Sequence, residues 1–123
     1  MSEAWGGFSV KLDDKHRVIV PPKARPALEI GGTYLTRGQD RCIALFSRPQ
    51  FDEYREKIRL SVPADMPAVA FDRLFFNSVV TQDMDKQGRV TIPLKLREYA
   101  SLDRDLMVTL LDNRIEIWDA GKW

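Results

Sequence analysis

Asp13-Asp14-Lys15-His16-Arg17-Val18-Ile19-Val20-Pro21-Pro22-Lys23-Ala24-Arg25 returns as Asp85-Lys86-Gln87-Gly88-Arg89-Val90-Thr91-Ile92-Pro93-Leu94-Lys95-Leu96-Arg97. Arg89 follows Arg17 by 89 − 17 = 72 residues, and the frame runs on without a gap: Asp40 meets Asp112, Ile43 meets Ile115, Phe46 meets Trp118 and Phe51 meets Trp123. A period this long exceeds that of solenoid or propeller repeats, and there are only two copies. Two copies point instead to halves paired about a pseudo-two-fold axis, as identical subunits pair in a dimer. What recurs is a turn with a basic residue, a short apolar strand, a proline and more basic residues.

Around that repeat the chain punctuates itself. Phe8, Val10 and Leu12 alternate with polar residues, the pattern of a half-buried strand, and residues 13–16 form a polar tip before Val18-Ile19-Val20, so the two strands read as a hairpin. Pro21 and Pro22 end the second strand because proline donates no ladder hydrogen bond, and Pro22 can open a short helix through Leu28 that Gly31-Gly32 stops. Strands at 34–37 and 42–46 flank Gly38-Gln39-Asp40 as another hairpin. The second copy repeats the plan with strands at 79–83 and 90–92, a helix at 94–100, and strands at 107–111 and 115–118. Between the copies, Ser47 and Pro49 start a helix that aligns Phe51, Tyr54 and Ile58; Asp65 and Pro67 start another that aligns Phe71, Leu74 and Phe75. The expected division is a first repeat at 8–60 with its trailing helix, a connecting segment at 61–78, and a second repeat at 79–123 that lacks the equivalent helix.

A half of this size buries too little apolar surface to stand alone, so the halves are expected to share one core. No apolar run approaches the roughly 20 residues that span a bilayer, and Met1 to Trp5 lacks the basic and apolar regions of a signal peptide. Cys42 is the only cysteine, which excludes an intrachain disulfide and makes a reducing cytosol the default. The net charge of +1 hides an asymmetry: residues 8–60 hold 11 Lys/Arg against 7 Asp/Glu, whereas residues 80–123 hold 7 against 8. Contact with a polyanion must therefore come from a local patch, and the densest is Lys11, Lys15, Arg17, Lys23 and Arg25.

Asp-x-x-x-Arg followed by Val-Ile-Val-Pro or Val-Thr-Ile-Pro, then Lys-x-Arg, resembles the SpoVT-AbrB family of swapped-hairpin DNA-binding domains. Two copies in one short chain, trailed by Asp-Arg-Cys-Ile-Ala-Leu-Phe and Asn-Arg-Ile-Glu-Ile-Trp-Asp, resemble the MraZ family of bacterial regulators, from about Phe8 to Trp123. The resemblance implies an α+β fold of two tandem swapped-hairpin halves in one β-rich core. It further implies a transcriptional regulator, usually a repressor, that binds repeated promoter elements in double-stranded DNA upstream of the division and cell-wall gene cluster. A ring-like homo-oligomer in the cytoplasm, associated with the nucleoid and not with membrane, goes with it. On this resemblance Arg17 and Arg89 take the turn-arginine position, and Lys11, Arg25 and Arg97 the flanking basic positions. His16 stands where the family has glycine, which puts the first turn's geometry in question; Pro26 interrupts the expected helix, and Met1 to Gly7 differs from the family's start.

Each of these residues has a plainer reading. Arg17 and Arg89 carry planar donor forks suited to phosphate or a guanine edge, yet Asp13 and Asp85 stand four residues earlier across the turn, ready to pair with them or to orient them. Lys23, Arg25, Lys95 and Arg97 sit near helix starts, where the dipole disfavours cations and an anion would relieve the conflict; a solvated face is the alternative. Lys11, Lys15 and Lys86 are ordinary surface lysines unless the hairpin face is the binding face. His16 and Cys42 lack the partners of a metal site, no nucleotide loop or nucleophile elbow occurs, and Asp83 with Asp85 implies no acid/base pair, so neither an enzyme nor a cofactor is expected. Trp118, Trp123, Phe46 and Phe51 read as core or oligomer seam. The rival to DNA binding is a protein-interaction module of the antitoxin type that shares the hairpin fold. Because residues 10–28 carry five cations against two anions, and residues 82–100 four against three, Arg17 is expected to matter more to DNA than Arg89.

Overall fold

The computed structural model describes residues 7–123; the readings placed on Met1 to Trp5 lie outside them. Eight strands and four α-helices follow in the order β1 Gly7–Lys11, β2 Arg17–Ile19, α1 Arg25–Glu29, β3 Thr33–Arg37, β4 Ile43–Phe46, α2 Arg48–Ser61, α3 Ala68–Phe76, β5 Val80–Gln82, β6 Arg89–Thr91, α4 Leu94–Tyr99, β7 Asp105–Leu110 and β8 Ile115–Asp119. Six strands form one antiparallel sheet in the order β1-β7-β8-β4-β3-β5, and β2 with β6 forms a separate antiparallel ribbon. The fold is α+β, with short helices around a largely antiparallel sheet.

The strand order reads the same from both ends once each element is exchanged for its repeat, so the halves are related by a pseudo-two-fold axis. The axis passes through two contacts. At one, Val18 lies opposite Val90. At the other, Ile43 lies opposite Ile117 and Leu45 opposite Ile115. The strands that flank each polar tip do not pair with one another, contrary to the local hairpins read from the alternating pattern. Instead β1 pairs with β7 of the second half, and β5 pairs with β3 of the first. Each half thus gives its first strand to its neighbour's sheet.

The gapless frame needs a correction. On the sheet, Val10 opposes Leu106 while Gln82 opposes Thr33, and Leu35 opposes Leu45 while Val108 opposes Ile117. These pairs superpose only if β7 is counted 73 residues after β3, with the following turn one residue shorter. Burial agrees: Thr33, Leu35 and Thr36 match Leu106, Val108 and Thr109, all buried. A one-residue slip would have turned those side chains to the other face, so the core sets the register and the loops absorb the difference.

The ribbon and the two short helices cover one sheet face. Val18, Val20, Val90 and Ile92 pack with Leu28 and Leu96 onto Leu35, Ile43, Leu45, Val108 and Ile117. On the other face Ala44, Phe46 and Phe51 are buried among Tyr34, Tyr54 and Phe75, under α2 and α3. That explains why Ile43 to Phe46 is an unbroken apolar run: it is buried from both sides. Ser47 caps α2 in a reciprocal capping box with Gln50, as its hydroxyl foretold. Pro67, not Asp65, precedes α3, and Leu74, expected on its inner face, is 68% exposed. Pro26 sits in the first turn of α1, where no intrahelical partner awaits its missing N–H, so the expected helix becomes a 3₁₀ turn at Pro22–Ala24 followed by α1.

Because the main core contains strands from both halves, unfolding should be one transition. Ile92→Ala, at a fully buried position, is expected to cost about 2–5 kcal/mol. Urea denaturation followed by tryptophan fluorescence and by far-ultraviolet circular dichroism should give coincident curves for this variant and for the parent. Two separated transitions would show halves that fold alone.

Candidate functional site

The repeated Asp-x-x-x-Arg folds into a turn that its own aspartate closes. Oδ1 of Asp13 accepts hydrogen bonds from the backbone N–H groups of Lys15 at 2.9 Å and Arg17 at 2.8 Å. Oδ1 of Asp85 accepts the same bonds from Gln87 at 2.9 Å and Arg89 at 2.8 Å. Aspartate is the residue type suited to this, since its short carboxylate reaches the backbone two residues on. The position before each arginine is left-handed in both copies, with φ 61° at His16 and 82° at Gly88. His16 therefore keeps the turn that glycine makes, in the left-handed region that histidine enters more readily than most side chains.

The turns are locked to each other across the axis. Val20 N–H donates to the Gly88 carbonyl at 2.7 Å, and Ile92 N–H donates to the His16 carbonyl at 2.8 Å. These bonds bring four charged side chains together. Arg17 Nε donates to Asp13 Oδ2 at 2.8 Å, and Arg89 Nε to Asp85 Oδ2 at 2.9 Å. Each guanidinium also reaches the opposite carboxylate, Arg17 Nη1 at 3.9 Å from Asp85 Oδ2 and Arg89 Nη1 at 3.8 Å from Asp13 Oδ2. The result is a crossed ring of two arginines and two aspartates on the axis. The arginine side chains remain 25% and 28% exposed, so they are held without being sealed from solvent.

The second pair of arginines braces the first. Arg25 Nε donates to the Val20 carbonyl at 2.9 Å, and Arg97 Nε to the Ile92 carbonyl at 3.0 Å. Arg25 crosses directly over the opposite turn: a Cβ on Gly88 would lie 2.3 Å from its Nε. A side chain at position 88 would have to displace the Arg25 guanidinium, and glycine takes this φ without strain. Lys15 and Lys86 are exposed at the turns, and their side chains form no ion pair among the described residues. Lys11 lies apart from this constellation, paired with Asp105 at 2.6 Å across β1 and β7. The sequence foretold the pairing of each arginine with its own aspartate. It carried no signal for the crossing, because that depends on the ribbon register.

The chemistry available is electrostatic and hydrogen-bonding. No group of three or more His, Cys, Asp or Glu positioned for a metal occurs among the described residues. Cys42 is fully buried, and burial pushes its thiol up to about 12, so it is inert as a nucleophile at neutral pH. No helix among the described residues is long and apolar enough to cross a membrane.

Comparison with known proteins follows the same two halves. The family model described as "MraZ protein, putative antitoxin-like" matches residues 4–73 and again residues 75–123. The chain is 47% identical over 118 residues to a protein of Clavibacter michiganensis subsp. michiganensis named transcriptional regulator MraZ, covering 96% of this chain and 82% of that one. Proteins of the same name from Salinispora tropica and Micrococcus luteus are 46% and 42% identical over the same coverage.

The backbone N–H of Arg17, foremost, holds the Asp13 carboxyl below its usual value, with the Arg17 side chain and the Lys15 N–H adding to it; Asp85 is lowered in the same way by Arg89 and Gln87. A depressed native pKa means that these carboxylates contribute stability above the unfolded value of about 3.9 and lose it as pH falls through the lower native value. Carboxyl NMR titration should place both midpoints below 3.8, and Asp13→Asn with Asp85→Asn should flatten the acid limb of stability. Midpoints at or above 3.8 would show that the turns do not hold the charge.

Proposed function

The chain belongs to the MraZ family, and from that premise we propose that it is a transcriptional regulator that binds double-stranded DNA through the paired turns on its pseudo-two-fold axis. The observation that carries the proposal is the locked pair of equivalent arginine turns, edged by exposed Lys15 and Lys86. Two equivalent probes at a fixed separation suit a duplex, whose phosphates repeat regularly.

Roles follow from the surroundings of each side chain. Lys15 and Lys86, exposed at the tips and with no ion pair among the described residues, contact phosphate. Arg17 and Arg89 exchange part of their aspartate contact for a phosphate or for the O6/N7 edge of guanine; partly exposed ion pairs are weak enough for such an exchange. Asp13 and Asp85 orient the two guanidinium groups until then. Arg25 and Arg97, held at Nε, brace the turns and add positive field, while Lys11 contributes at the flank. The repeats at 8–60 and 79–123, joined by 61–78, act as one recognition unit.

One chain makes few phosphate contacts, so tight binding at physiological salt requires several chains on adjacent elements, in a ring-like homo-oligomer. In this reading the targets are repeated promoter elements of the division and cell-wall gene cluster, the effect is repression, and the protein works at the nucleoid. The antitoxin-like description of the family keeps a second reading open to test, in which the chain binds a protein partner instead.

Fluorescence anisotropy with the chain's own upstream DNA at two salt concentrations separates these readings. Arg17→Ala is expected to weaken binding more than Arg89→Ala, by about 1–3 kcal/mol with relaxed preference at one base if it reads guanine. Lys15→Ala should weaken binding on all sequences and lower the salt slope by about 1. A larger loss for Arg89→Ala would show that local charge does not rank the turns, and salt-independent or absent binding would favour the protein partner.

A further inference from the structure

The two halves differ beside their short helices α1 and α4. On α4, Tyr99 leans against the turn between β3 and β4, where its hydroxyl donates to the Gly38 carbonyl at 2.6 Å and the Arg37 and Arg41 guanidinium groups lie 5.2 and 5.0 Å from its ring centre. The repeat puts Ala27 of α1 at the Tyr99 position, 72 residues earlier, just as Arg25 matches Arg97 in its bond to a strand carbonyl. The facing turn is matched as well: Gly38 N–H bonds to the Cys42 carbonyl at 2.8 Å, and Leu111 N–H bonds to the Arg114 carbonyl at 2.9 Å. Where the second half holds a phenol ring, the first half holds a cavity of about 340 Å³. Ala24, Ala27 and Leu28 form one wall, and Leu110, Leu111 and Arg114 form the other.

We infer that this cavity is a binding site for a small neutral aromatic molecule of the phenol class. The occupant's chemistry is read from the filled copy: a flat ring against apolar walls and a hydroxyl to the Leu111 carbonyl that stands in the place of Gly38's; the Arg114 guanidinium beside it is bonded to Asn113 and Glu116. Its volume lies in the range of small-molecule pockets, and six of its ten lining residues are apolar, with Lys23, Gln50, Asp112 and Arg114 the polar ones. The cavity is built from both halves, α1 from the first and the β7–β8 turn from the second, so it exists only in the folded chain. Nothing in this site depends on the DNA reading, and the two can fail separately.

The probe is p-cresol, the tyrosine side chain as a free molecule, titrated into the full isotope-labelled chain and followed by NMR. Expected are shifts confined to the neighbourhood of Ala27, Leu28, Leu110 and Leu111, with a Kd of about 1 mM or tighter. Ala27→Tyr, which supplies the ring covalently, should abolish those shifts and raise Tm by about 5 °C. Tyr99→Ala should open a second p-cresol site beside Gly38. Absence of shifts at Ala27 in the parent chain would overturn the inference, as would an Ala27→Tyr chain that still binds p-cresol there. So would a fall in association state on Ala27→Tyr with no p-cresol shifts, which would assign the seat to a side chain of a neighbouring copy.

Discussion

Each half of the chain supplies a strand that the other half's sheet cannot do without. With β1 laid on β7 and β5 on β3, the only way left for β2 and β6 to satisfy their backbone groups is to pair with one another on the axis. That pairing buries Val18 against Val90 and closes the core over β4 and β8. It also fixes where the polar turns go: they meet head to head, joined through Val20 to Gly88 and Ile92 to His16. The crossed arginine–aspartate ring is a consequence of strand exchange, and it would not exist in either half alone.

The ring solves a problem created by its own location. Two arginines brought together on an axis repel, and two aspartates interleaved between them remove the repulsion while holding each fork in one orientation. Because the group stays partly exposed, the stabilisation is modest and the geometry is the main gain. Lys15 and Lys86 then add positive charge at the tips, where exposed Asp14 stands beside Lys15. Charge counts for the whole chain miss this arrangement, since a net charge of +1 describes no particular surface.

Local features were legible in the sequence, and pairings between distant segments were less so. The turn boundaries and the Ser47 cap follow from chemistry within a few residues. So did the contact of Arg17 with Asp13, because both lie in one turn. The exchange of strands was visible only through likeness to a family, as alternation reveals which face a strand buries and not which strand lies beside it. The residue-count shift between β3 and β7 was hidden because the identities at Asp40 and Ile43 lie beyond it, where a shorter turn has restored the original frame. Leu74 reads as core from helical spacing, yet α3 turns it outward toward solvent. Arg25 and Arg97 looked like cations in search of an anion, and the structure gives them backbone carbonyls instead.

The central claim is that the two turns form one surface and meet DNA together. An NMR titration of the labelled chain with duplex promoter DNA addresses it directly. The account predicts shifts centred on residues 13–17 and 85–89, rising in parallel with one apparent affinity, together with movement of the Arg17 and Arg89 side-chain Nε signals. Shifts centred on α2 and α3 with both turns unmoved, or shifts at one turn alone, would contradict it.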